Sequence, residues 1–358
     1  MSYSYSHSIY IGRFQPFHLG HAQMLAQALA VAQRCIVVLG SAHQAATPKN
    51  PFDWQMRTDM ILRSLPPEQA ARVDFLPLRD YYDGDRWAQA LRAGVEKLIA
   101  APSGSSLPEV KIALISHFKD ASSAYLRWFP EWKTVAFPRQ NEIDATPLRN
   151  TFFEAIHDGA TPAQALTTMM PALPQGTQDV LREWAQDPQA ATTLAQEWEV
   201  LRKVRVAWSH SPYTPIFVTV DAVVQCQDHI LLVQRDRMPG AGLMALPGGF
   251  IEAHERLDRA VLRELLEETG LDLTPSEAAD ALVGSNVFDH PDRSERGRCI
   301  THAYHFKLDR AALPAVVGGD DARSAQWVPI TQLAQLEPRL HNDHFHILDT
   351  FLRILASD

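Results

Sequence analysis

Cysteine is scarce in this chain: only three of its 358 residues are cysteines, at positions 35, 226 and 299, and none lies in a CxxC pair. This spacing excludes a zinc ribbon and a disulfide framework, and it is typical of a reducing cytoplasm, so we expect a cytoplasmic protein. No apolar run reaches the length of a membrane span, so no membrane partner is expected. The start, MSYSYSHSIYIG, lacks the basic segment and cleavage site of a secretory signal.

An excess of basic charge is absent as well. The chain has 33 Lys and Arg against 42 Asp and Glu, a formal net charge of −9, which makes a nucleic-acid partner unexpected. The imbalance is confined to one half, because residues 1–186 hold 17 basic and 17 acidic residues whereas the remainder holds 16 and 25. The acidic C-terminal half is therefore a candidate for binding divalent cations.

The length of the chain exceeds what one hydrophobic core usually organises, so two domains are expected. In the N-terminal part apolar strands alternate with helical patterns, which predicts a doubly wound α/β domain with a parallel, Rossmann-like sheet over residues 1–185. Residues 186–212 form a polar, largely helical stretch that ends in turn-forming residues, and we predict a helical linker. Short β-rich runs and one strong helix follow, which predicts an α+β domain over 213–358.

The stretch GRFQPFHLGH, residues 12–21, follows the first predicted strand and leads into a helix. Ligands bind at this end of parallel strands, and a helix start offers N–H groups and a partial positive charge that suit a phosphate. His18 and His21 share one side of the first turn, and Arg13 adds a third donor for a triphosphate. Gly20, without a Cβ, would let a ligand approach the backbone. From His18 and His21 alone, an ordinary helix start is an equal alternative.

The stretch resembles the nucleotidyltransferase signature, most closely that of archaeal-type NMN adenylyltransferases. Three later segments resemble the same family in order: GSAHQAATPKNPF with RTDMI, SHFKDASSAYLRWFPEW, and IDATPLR. The resemblance implies transfer of AMP from ATP to NMN, which gives NAD and pyrophosphate without a general base. Catalysis would be positioning and charge stabilisation by Mg²⁺ and by Arg13, His18, His21 and Arg149. The implied contacts to ATP or its phosphates are Gly12, Phe14, Gln15, Gly20, Lys49, Thr146 and Arg149.

For the nicotinamide end, the resemblance implies stacking by Trp87 and a contact from Asp80. The alternative for Trp87 is a core position in its helix. Thr146 has two compatible roles, a phosphate contact and the N-cap of a helix that begins near Pro147. The family often has Ser and Gly where this chain has Asp144 and Ala145, which leaves the contact of that loop with the nucleotide open. Nicotinate mononucleotide is the alternative substrate.

The C-terminal half contains a second motif, which fits G-x5-E-x7-R-E-U-x-E-E-x-G-U, where U is a bulky aliphatic residue. Its fixed residues are Gly249, Glu255, Arg263, Glu264, Glu267, Glu268 and Gly270. On a helix the last three glutamates share one face, where like charges are unfavourable unless cations lie among them. Hard oxygen ligands suit Mg²⁺ or Mn²⁺. A solvated acidic helix face is the alternative, but it does not account for the fixed glycines and arginine.

This motif resembles the Nudix box, and the resemblance implies Glu264 and Glu268 as the principal metal ligands, with Glu267 and Glu255 in support and Gly249 beside them. Arg263 is expected to orient a glutamate rather than to touch substrate. The helix should end at Gly270. Opposite the metals it should bury an apolar stripe of five residues: Leu257, Val261, Leu262, Leu265 and Leu266.

The second motif is identified as an intact Nudix box, which implies the Nudix fold and metal-assisted hydrolysis of a nucleoside diphosphate linked to another group, with two metals binding the diphosphate and activating water. The segment VFDHPDRSERGRCITHAYHF resembles the ADP-ribose-hydrolysing group, most closely the version fused to NMN adenylyltransferases. The implied reaction is ADP-ribose to AMP and ribose 5-phosphate, and NADH is an alternative substrate. Candidates for phosphate binding, unless they form a merely solvated loop, are Arg293, Arg296 and Arg298. The catalytic base is left open among Glu295, Asp320 and Asp321.

Together the resemblances cover nearly the whole chain and imply a bifunctional enzyme of NAD metabolism. One half would make NAD, and the other would cleave ADP-ribose, the fragment left when NAD loses nicotinamide. The contrasting hypothesis is a non-hydrolytic Nudix sensor, which should carry a broken box and a basic DNA-binding domain; this sequence has neither feature. The expected partners are therefore ATP, NMN and ADP-ribose, and a homo-oligomer is left open.

Overall fold

The computed structural model describes residues 3–100, 110–116, 126–138 and 143–355. Residues 117–125 of the segment SHFKDASSAYLRWFPEW lie outside this description. The chain divides into two compact units, Met1–Ala195 and Gln196–Asp358, each with its own sheet. Among the described residues, no helix combines the length and the apolar character needed to cross a membrane.

The first unit alternates strands with helices. Its strands are β1 (Tyr5–Gly12), β2 (Ala32–Leu39), β3 (Val73–Pro77), β4 (Ile112–Ser116) and β5 (Lys133–Ala136). Its helices are α1 (Leu19–Val31), α2 (Trp54–Leu62), α3 (Pro67–Ala70), α4 (Gly84–Ile99), α5 (Ala145–His157), α6 (Pro162–Ala165) and α7 (Gln175–Trp184). The next helix, α8 (Pro188–Trp208), lies within the predicted linker, and the division into units falls inside it.

The five strands pair in parallel in the order β3-β2-β1-β4-β5, so the predicted doubly wound sheet is confirmed. The register pairs Ile9 of β1 with Ile36 of β2 and with Leu114 of β4, and all three belong to one buried core. The chain adds strands to one side of β1 first and then to the other. The loop after β1 therefore lies at the topological switch point, where open parallel sheets bind ligands.

The second unit is built on a mixed sheet. Its strands are β6 (Ile216–Cys226), β7 (His229–Arg235), β8 (Met244–Ala245), β9 (Gly248–Phe250), β10 (Leu282–Phe288), β11 (Arg298–Leu308) and β12 (Ala322–Pro329). Its helices are α9 (Leu257–Thr269), α10 (Pro275–Ala281), α11 (Leu333–Leu336) and α12 (His344–Leu352). The main order is β10-β11-β6-β7-β12, with β8 on β7 and β9 on β6. Within the described strands of this unit, only β6 and β11 pair in parallel, and the predicted α+β class is confirmed.

Each face of this second sheet packs against its own hydrophobic core. Alternate residues of a strand point to opposite faces, so a central strand such as β6 contributes side chains to both cores. Val220, Ala222 and Val224 of β6 belong to the core that contains the buried side of α9. Val223 belongs to a separate core that contains Ile347 of α12. The two helices therefore cover opposite faces of β6.

The buried side of α9 differs from the predicted stripe. Val261 and Leu265 are buried, but Leu266 is 45% exposed, so its inclusion in the stripe was wrong. Burial follows helical steps of three and four residues, and Leu266 lies one residue beyond Leu265 on the solvent side. The same steps bury Glu264 and Glu268, so these carboxylates border the apolar face instead of lying opposite it.

Candidate active sites

The loop after β1 is shaped by its own side chains. Phe14 has a φ of +52°, and a Cβ at position 12 would come within 2.8 Å of its ring, so this turn requires Gly12. Gln15 is buried, and its Nε2 donates to the carbonyl of Phe52 at 2.8 Å while its Oε1 accepts from the Phe52 N–H at 3.0 Å. The Gln15 side chain thus joins the loops after β1 and β2.

His18 and His21 form a pair at the start of α1. His18 is the N-cap and its Nδ1 accepts from the N–H of His21 at 3.3 Å, while the Nδ1 of His21 accepts from the N–H of His18 at 3.4 Å. The rings stack with centroids 3.6 Å apart. Since Nδ1 is the acceptor in both rings, Nε2 carries the proton in each neutral ring. A Cβ at Gly20 would lie 3.1 Å from the His18 ring, so the space that this glycine leaves is beside that ring.

Arg149 connects α5 to the same loops. Its side chain is buried, and it donates from Nη1 to the carbonyl of Gln15 at 2.6 Å, from Nε to that of Pro48 at 3.1 Å, and from Nη2 to the Thr146 hydroxyl at 3.1 Å. Lys49 follows Pro48 directly. The structure therefore gathers most of the predicted phosphate-binding residues around the start of α1.

The predicted N-cap role of Thr146 was wrong. The helix α5 begins at Ala145, and the N-cap is Asp144 with φ −113° and ψ 137°. Pro147 lies inside the first turn, where its missing N–H has no partner to lose. Thr146 is therefore already helical, and its hydroxyl accepts from Arg149 instead.

Arg57 was missed by the sequence analysis, although it lies in the quoted segment RTDMI. Its side chain is fully buried, and Nη1 donates to the carbonyls of Arg13 and Gly40, both at 2.7 Å. Burial lowers its pKa to about 10. Arg57 thus fixes the backbone that carries Arg13. The sequence feature that could have identified Arg57 is an arginine at helical spacing from the apolar residues Met60 and Ile61.

The two residues predicted for the nicotinamide end lie in different surroundings. Asp80 accepts from the hydroxyl of Ser41 at 2.6 Å and from the Gln44 amide at 2.8 Å, so it orders the loop after β2. Trp87 is partly buried and packs edgewise against Trp128 and Phe129, with centroids 6.2 Å and 6.1 Å away. Trp87 therefore has core contacts, and its nicotinamide contact stays a prediction.

In the second unit, two glycines bring β9 against the glutamates of α9. The N–H of Gly248 donates to Oε2 of Glu268 at 3.0 Å. A Cβ at Gly249 would lie 2.7 Å from the carboxylate of Glu264, so any larger residue would displace it. The motif glycines and the two principal predicted ligands thus form one packed arrangement.

Arg263 joins the remaining carboxylates of the motif. Its Nε and Nη2 bind both oxygens of Glu255, at 3.0 Å and 2.9 Å. Its Nη1 donates to Glu264 and to Glu267, both at 2.9 Å. These bonds lower the pKa of Glu255 and raise that of Arg263. Three carboxylates are therefore oriented by one guanidinium.

The carboxyl groups of Glu264 and Glu268 are the ones that fit a cation. Both residues are buried, and burial raises the pKa of Glu264. Burial also raises the pKa of Glu268 to about 8, and the neighbouring charge of Glu264 contributes to this increase. No cluster of three His, Cys, Asp or Glu ligands is preformed in the described residues, and Arg263 engages Glu264 and Glu267. A divalent cation would stabilise the ionised form of this buried pair.

The loop between β11 and β12 lies against the end of α9. Val317 N–H donates to the carbonyl of Thr269 at 3.0 Å, and Gly319 N–H to that of Glu268 at 3.3 Å. The charge of Asp320 on this loop raises the pKa of Glu264, and Asp321 forms an ion pair with Arg237 at 2.5 Å. The charge of Glu295, the third candidate base, raises the pKa of Glu197.

The three arginines predicted to bind phosphate are not equivalent. Arg293 forms a buried, two-fold ion pair with Asp343, both bonds being 2.8 Å. Arg298 donates to the carbonyl of Asp289. Arg296 lies over the ring of Phe250, 5.5 Å from its centroid, and its guanidinium has no hydrogen-bond acceptor within the described parts of the chain. Of the three arginines, Arg296 is thus the one whose guanidinium N–H groups donate no hydrogen bond to another described residue.

Arg235, at the end of β7, was missed by the sequence analysis. Its Nε donates to the carbonyl of Pro239 at 3.1 Å, and its charge acts on Glu268 and Glu197. Burial lowers its pKa, and its charge also lowers that of Arg296. The sequence feature that could have identified Arg235 is a positively charged residue at the end of an apolar strand, shortly before the Nudix box.

Glu197 of α8 supplies a buried carboxyl group to the second unit. It is 7% exposed, and it accepts from the N–H of Gly240 at 3.2 Å. Burial raises its pKa from 4.5 to about 7, and Glu295 adds to the shift while Arg235 opposes it. The folded protein therefore keeps a proton that the unfolded chain releases above pH 4.5.

This shift predicts a pH-dependent effect of Glu197→Gln on stability. As pH rises from 4.5 to about 7, the wild type loses stability because only its unfolded state gives up the proton. Glutamine keeps an acceptor for Gly240 and removes the ionisation. At pH 8.5 we expect the variant to gain on the order of 2–3 kcal/mol in the free energy of unfolding, and far less at pH 4.5. Urea titrations at both pH values measure the gain, and an equal gain at both would contradict it.

The comparisons with known proteins cover both units. The NUDIX domain model matches residues 215–351, and the Cytidylyltransferase-like model matches residues 9–83. The nicotinamide/nicotinic acid mononucleotide adenylyltransferase of Acinetobacter baylyi is 34% identical over 197 residues, 55% of this chain and 95% of that protein. The ADP-ribose pyrophosphatase of Methanocaldococcus jannaschii is 36% identical over 136 residues, 38% of this chain and 73% of that protein.

A solved structure matches both units at once. It is a bifunctional NMN adenylyltransferase/ADP ribose pyrophosphatase from Francisella tularensis, complexed with AMP and a manganese ion. The TM-score is 0.86 at 34% identity, and the match covers 98% of this chain and 99% of that one. The chain therefore belongs to the family of bifunctional NMN adenylyltransferase/ADP-ribose pyrophosphatases.

Proposed function

We propose that this chain transfers AMP from ATP to NMN, giving NAD and pyrophosphate, and that it also hydrolyses ADP-ribose to AMP and ribose 5-phosphate. The observation that carries the proposal is the match of nearly the whole chain to one bifunctional enzyme of the same two activities. We assign the first activity to residues 1–185 and the second to residues 213–358. Three free, buried cysteines support a reducing compartment, the cytoplasm, as the place of action.

In the first reaction an NMN phosphate oxygen attacks the α-phosphorus of ATP. The bond between that phosphorus and the bridging oxygen breaks, and pyrophosphate leaves with the electron pair. Because the nucleophile is already ionised, this step needs no proton acceptor. We propose that Nε2–H of His18 and His21, with Arg13 and Lys49, stabilises the charge on the phosphates. Mg²⁺ or Mn²⁺ arriving with ATP would supply further charge neutralisation.

The residues around these donors would hold them in place. Arg57 fixes the carbonyl of Arg13, and Arg149 fixes that of Gln15. Both bonds involve buried guanidinium groups, so they resist exchange with water. We propose that Arg57 and Arg149 act through this loop geometry, with Thr146 orienting Arg149. Positioning of this kind is the main source of rate when the nucleophile needs no activation.

In the second reaction water attacks one phosphorus of the diphosphate, and the bond to the bridging oxygen breaks. Glu264 and Glu268 would hold Mg²⁺ or Mn²⁺, which when bound stabilises the phosphate charge and lowers the pKa of water. Arg263 fixes Glu264, and the Gly248 N–H fixes Glu268. We propose Asp320 as the base that takes the proton from water, because the N–H of the adjacent Gly319 donates to the carbonyl of Glu268 and so places this loop at the end of α9.

Arg296 is proposed to bind a substrate phosphate. Its guanidinium lies over Phe250, the residue that follows Gly249, and has unused donors within the described chain. A lost charge-assisted hydrogen bond is worth about 1.5–3 kcal/mol, so Arg296→Gln should raise KM for ADP-ribose by roughly 10- to 100-fold with a smaller change in kcat. Steady-state kinetics measures both constants.

The matched control is Arg310→Gln, which removes a partly exposed arginine 3.7 Å from Glu277. Its KM should stay within about twofold of the wild type, as for surface ion pairs in general. An unchanged KM in the Arg296 variant would remove Arg296 from the proposed binding site.

The proposed function itself is tested by product analysis. The protein is incubated with Mg²⁺ and either ATP plus NMN or ADP-ribose, and the products are separated by chromatography. We expect NAD and pyrophosphate from the first mixture, and AMP and ribose 5-phosphate from the second. Absence of NAD in the first mixture would contradict the synthetic activity. Parallel mixtures with nicotinate mononucleotide and with NADH compare the alternative substrates.

A further inference from the structure

The first residue of α12 is hydrogen-bonded to the segment that leads into β9. His344 is buried, and its Nδ1 accepts from the N–H of Leu246 at 2.8 Å. Leu246 is followed by Pro247, Gly248 and Gly249. This one bond therefore attaches a C-terminal helix to the segment whose glycines contact Glu268 and Glu264.

The segment is also held by β6. The N–H of Ala222 donates to the carbonyl of Pro247 at 2.8 Å. A Cβ at Gly248 would lie 2.2 Å from the carbonyl of Val220, so the segment packs closely on that strand. With the bond to His344, two adjacent residues of the segment are fixed from two elements. Small displacements of α12 would therefore be transmitted to Gly248.

The orientation of the His344 ring is set by buried partners. Its Nε2 lies 3.8 Å from Oδ1 of Asp221, and Oδ2 of Asp221 accepts from the Thr301 hydroxyl at 2.6 Å. The residue before His344 is Asp343, whose buried ion pair with Arg293 anchors the start of α12. The ring is thus held by a hydrogen bond at Nδ1, its Nε2 lies near a buried carboxylate, and the helix that carries it is anchored at its start.

The acceptor role at Nδ1 requires a neutral ring with its proton on Nε2. Burial lowers the pKa of His344 to about 3, and the nearby charges of Arg293, Arg235 and Arg296 contribute, while Asp343 opposes. The ring is therefore uncharged throughout the range in which an enzyme of this type works. Its contribution to the site is a constant acceptor, which an amide oxygen at the same place could replace.

We propose that His344 is a positioning residue of the pyrophosphatase reaction. By accepting from the Leu246 N–H, it holds Gly248 and Gly249 at the distance that aligns Glu268 and Glu264. The inference rests on the proposed hydrolysis of ADP-ribose at these glutamates. It also gives a role to the hydrogen bond between a C-terminal helix and the residue three positions before Gly249.

Two substitutions distinguish the loss of the hydrogen-bond acceptor at Nδ1 from the mere replacement of the histidine side chain. In His344→Asn the amide oxygen occupies about the place of Nδ1, whereas in His344→Gln it reaches the place of Nε2. Loss of an orienting partner typically costs 10- to 100-fold, so His344→Gln should lower kcat for ADP-ribose by about that factor, with KM within about threefold. His344→Asn should keep kcat within about threefold of the wild type. Synthesis of NAD should be unchanged in both.

Binding of Mn²⁺ gives a readout that does not depend on turnover. Titration followed by electron paramagnetic resonance of free Mn²⁺ should show roughly tenfold weaker binding in His344→Gln and wild-type binding in His344→Asn. Circular dichroism at the assay temperature confirms that both variants are folded. Equal losses in the two variants, or none in either, would overturn the positioning role. If the wild type fails to hydrolyse ADP-ribose, the proposed function fails, but the Mn²⁺ comparison still decides the role of His344.

Discussion

His18→Ala is expected to lower the rate of NAD synthesis by about 10²–10³-fold, the usual cost of losing one donor to a developing phosphate charge. The substitution removes the proposed Nε2 donor and also the cap that accepts from the His21 N–H. It leaves the His21 ring without its stacking partner at 3.6 Å. Loss of an N-cap costs only about 1 kcal/mol, so the protein should stay folded. Hydrolysis of ADP-ribose should remain within about twofold.

The measurement is the initial rate of pyrophosphate release from ATP and NMN. The matched control is His157→Ala, which removes an exposed histidine from the last position of α5 in the same unit. It should leave both activities within about twofold, as expected for a surface position. A synthetic rate in His18→Ala within tenfold of the wild type would contradict the proposed role of the histidine pair.

Glu268→Gln is expected to lower ADP-ribose hydrolysis by about 10³-fold, since the carboxylate would hold the cation on which water activation depends. The change is nearly isosteric, and the glutamine oxygen can still accept from the Gly248 N–H. Burial raises the pKa of the Glu268 carboxyl to about 8, so glutamine, which stays neutral, should cost the folded protein no stability. Synthesis of NAD should be retained within about twofold.

Rates at saturating Mg²⁺ and at saturating Mn²⁺ measure the effect. Glu277→Gln is the matched control, because that glutamate is exposed on α10 of the same unit. The control should keep about the wild-type rate with either metal, as surface changes usually do. Full activity of Glu268→Gln at any metal concentration would remove Glu268 from the metal site.

Much of the fold could be predicted because its signals are local in the sequence. The apolar strand before Gly12 and the helical spacing from Leu19 determine a strand–helix–strand unit over some thirty residues. The Nudix box is also local, since Arg263, Glu264, Glu267 and Glu268 lie within two turns of one helix and Glu255 lies just before it. In both cases the interacting groups are near each other along the chain, so spacing alone was informative.

The residues that could not be predicted depend on distant partners. Arg293 and Arg296 look alike in the sequence, and only the position of Asp343, fifty residues later, pairs one of them and leaves the other facing Phe250. Arg57 acts through carbonyls 17 and 44 residues away. Two further expectations failed by only one or two residues. Leu266 was expected to be buried and is exposed, and Thr146 was expected to be the N-cap and lies inside the helix, since helix ends and faces are predicted only to within one or two residues.

One chain is expected to carry two separate reactions at two separate sites. A crossed assay examines this independence: wild type, His18→Ala and Glu268→Gln are each given ATP with NMN, and each given ADP-ribose, under identical conditions. We expect that the wild type performs both reactions, that His18→Ala loses only NAD synthesis, and that Glu268→Gln loses only hydrolysis. Loss of both activities in either variant, or absence of either activity from the wild type, would contradict it.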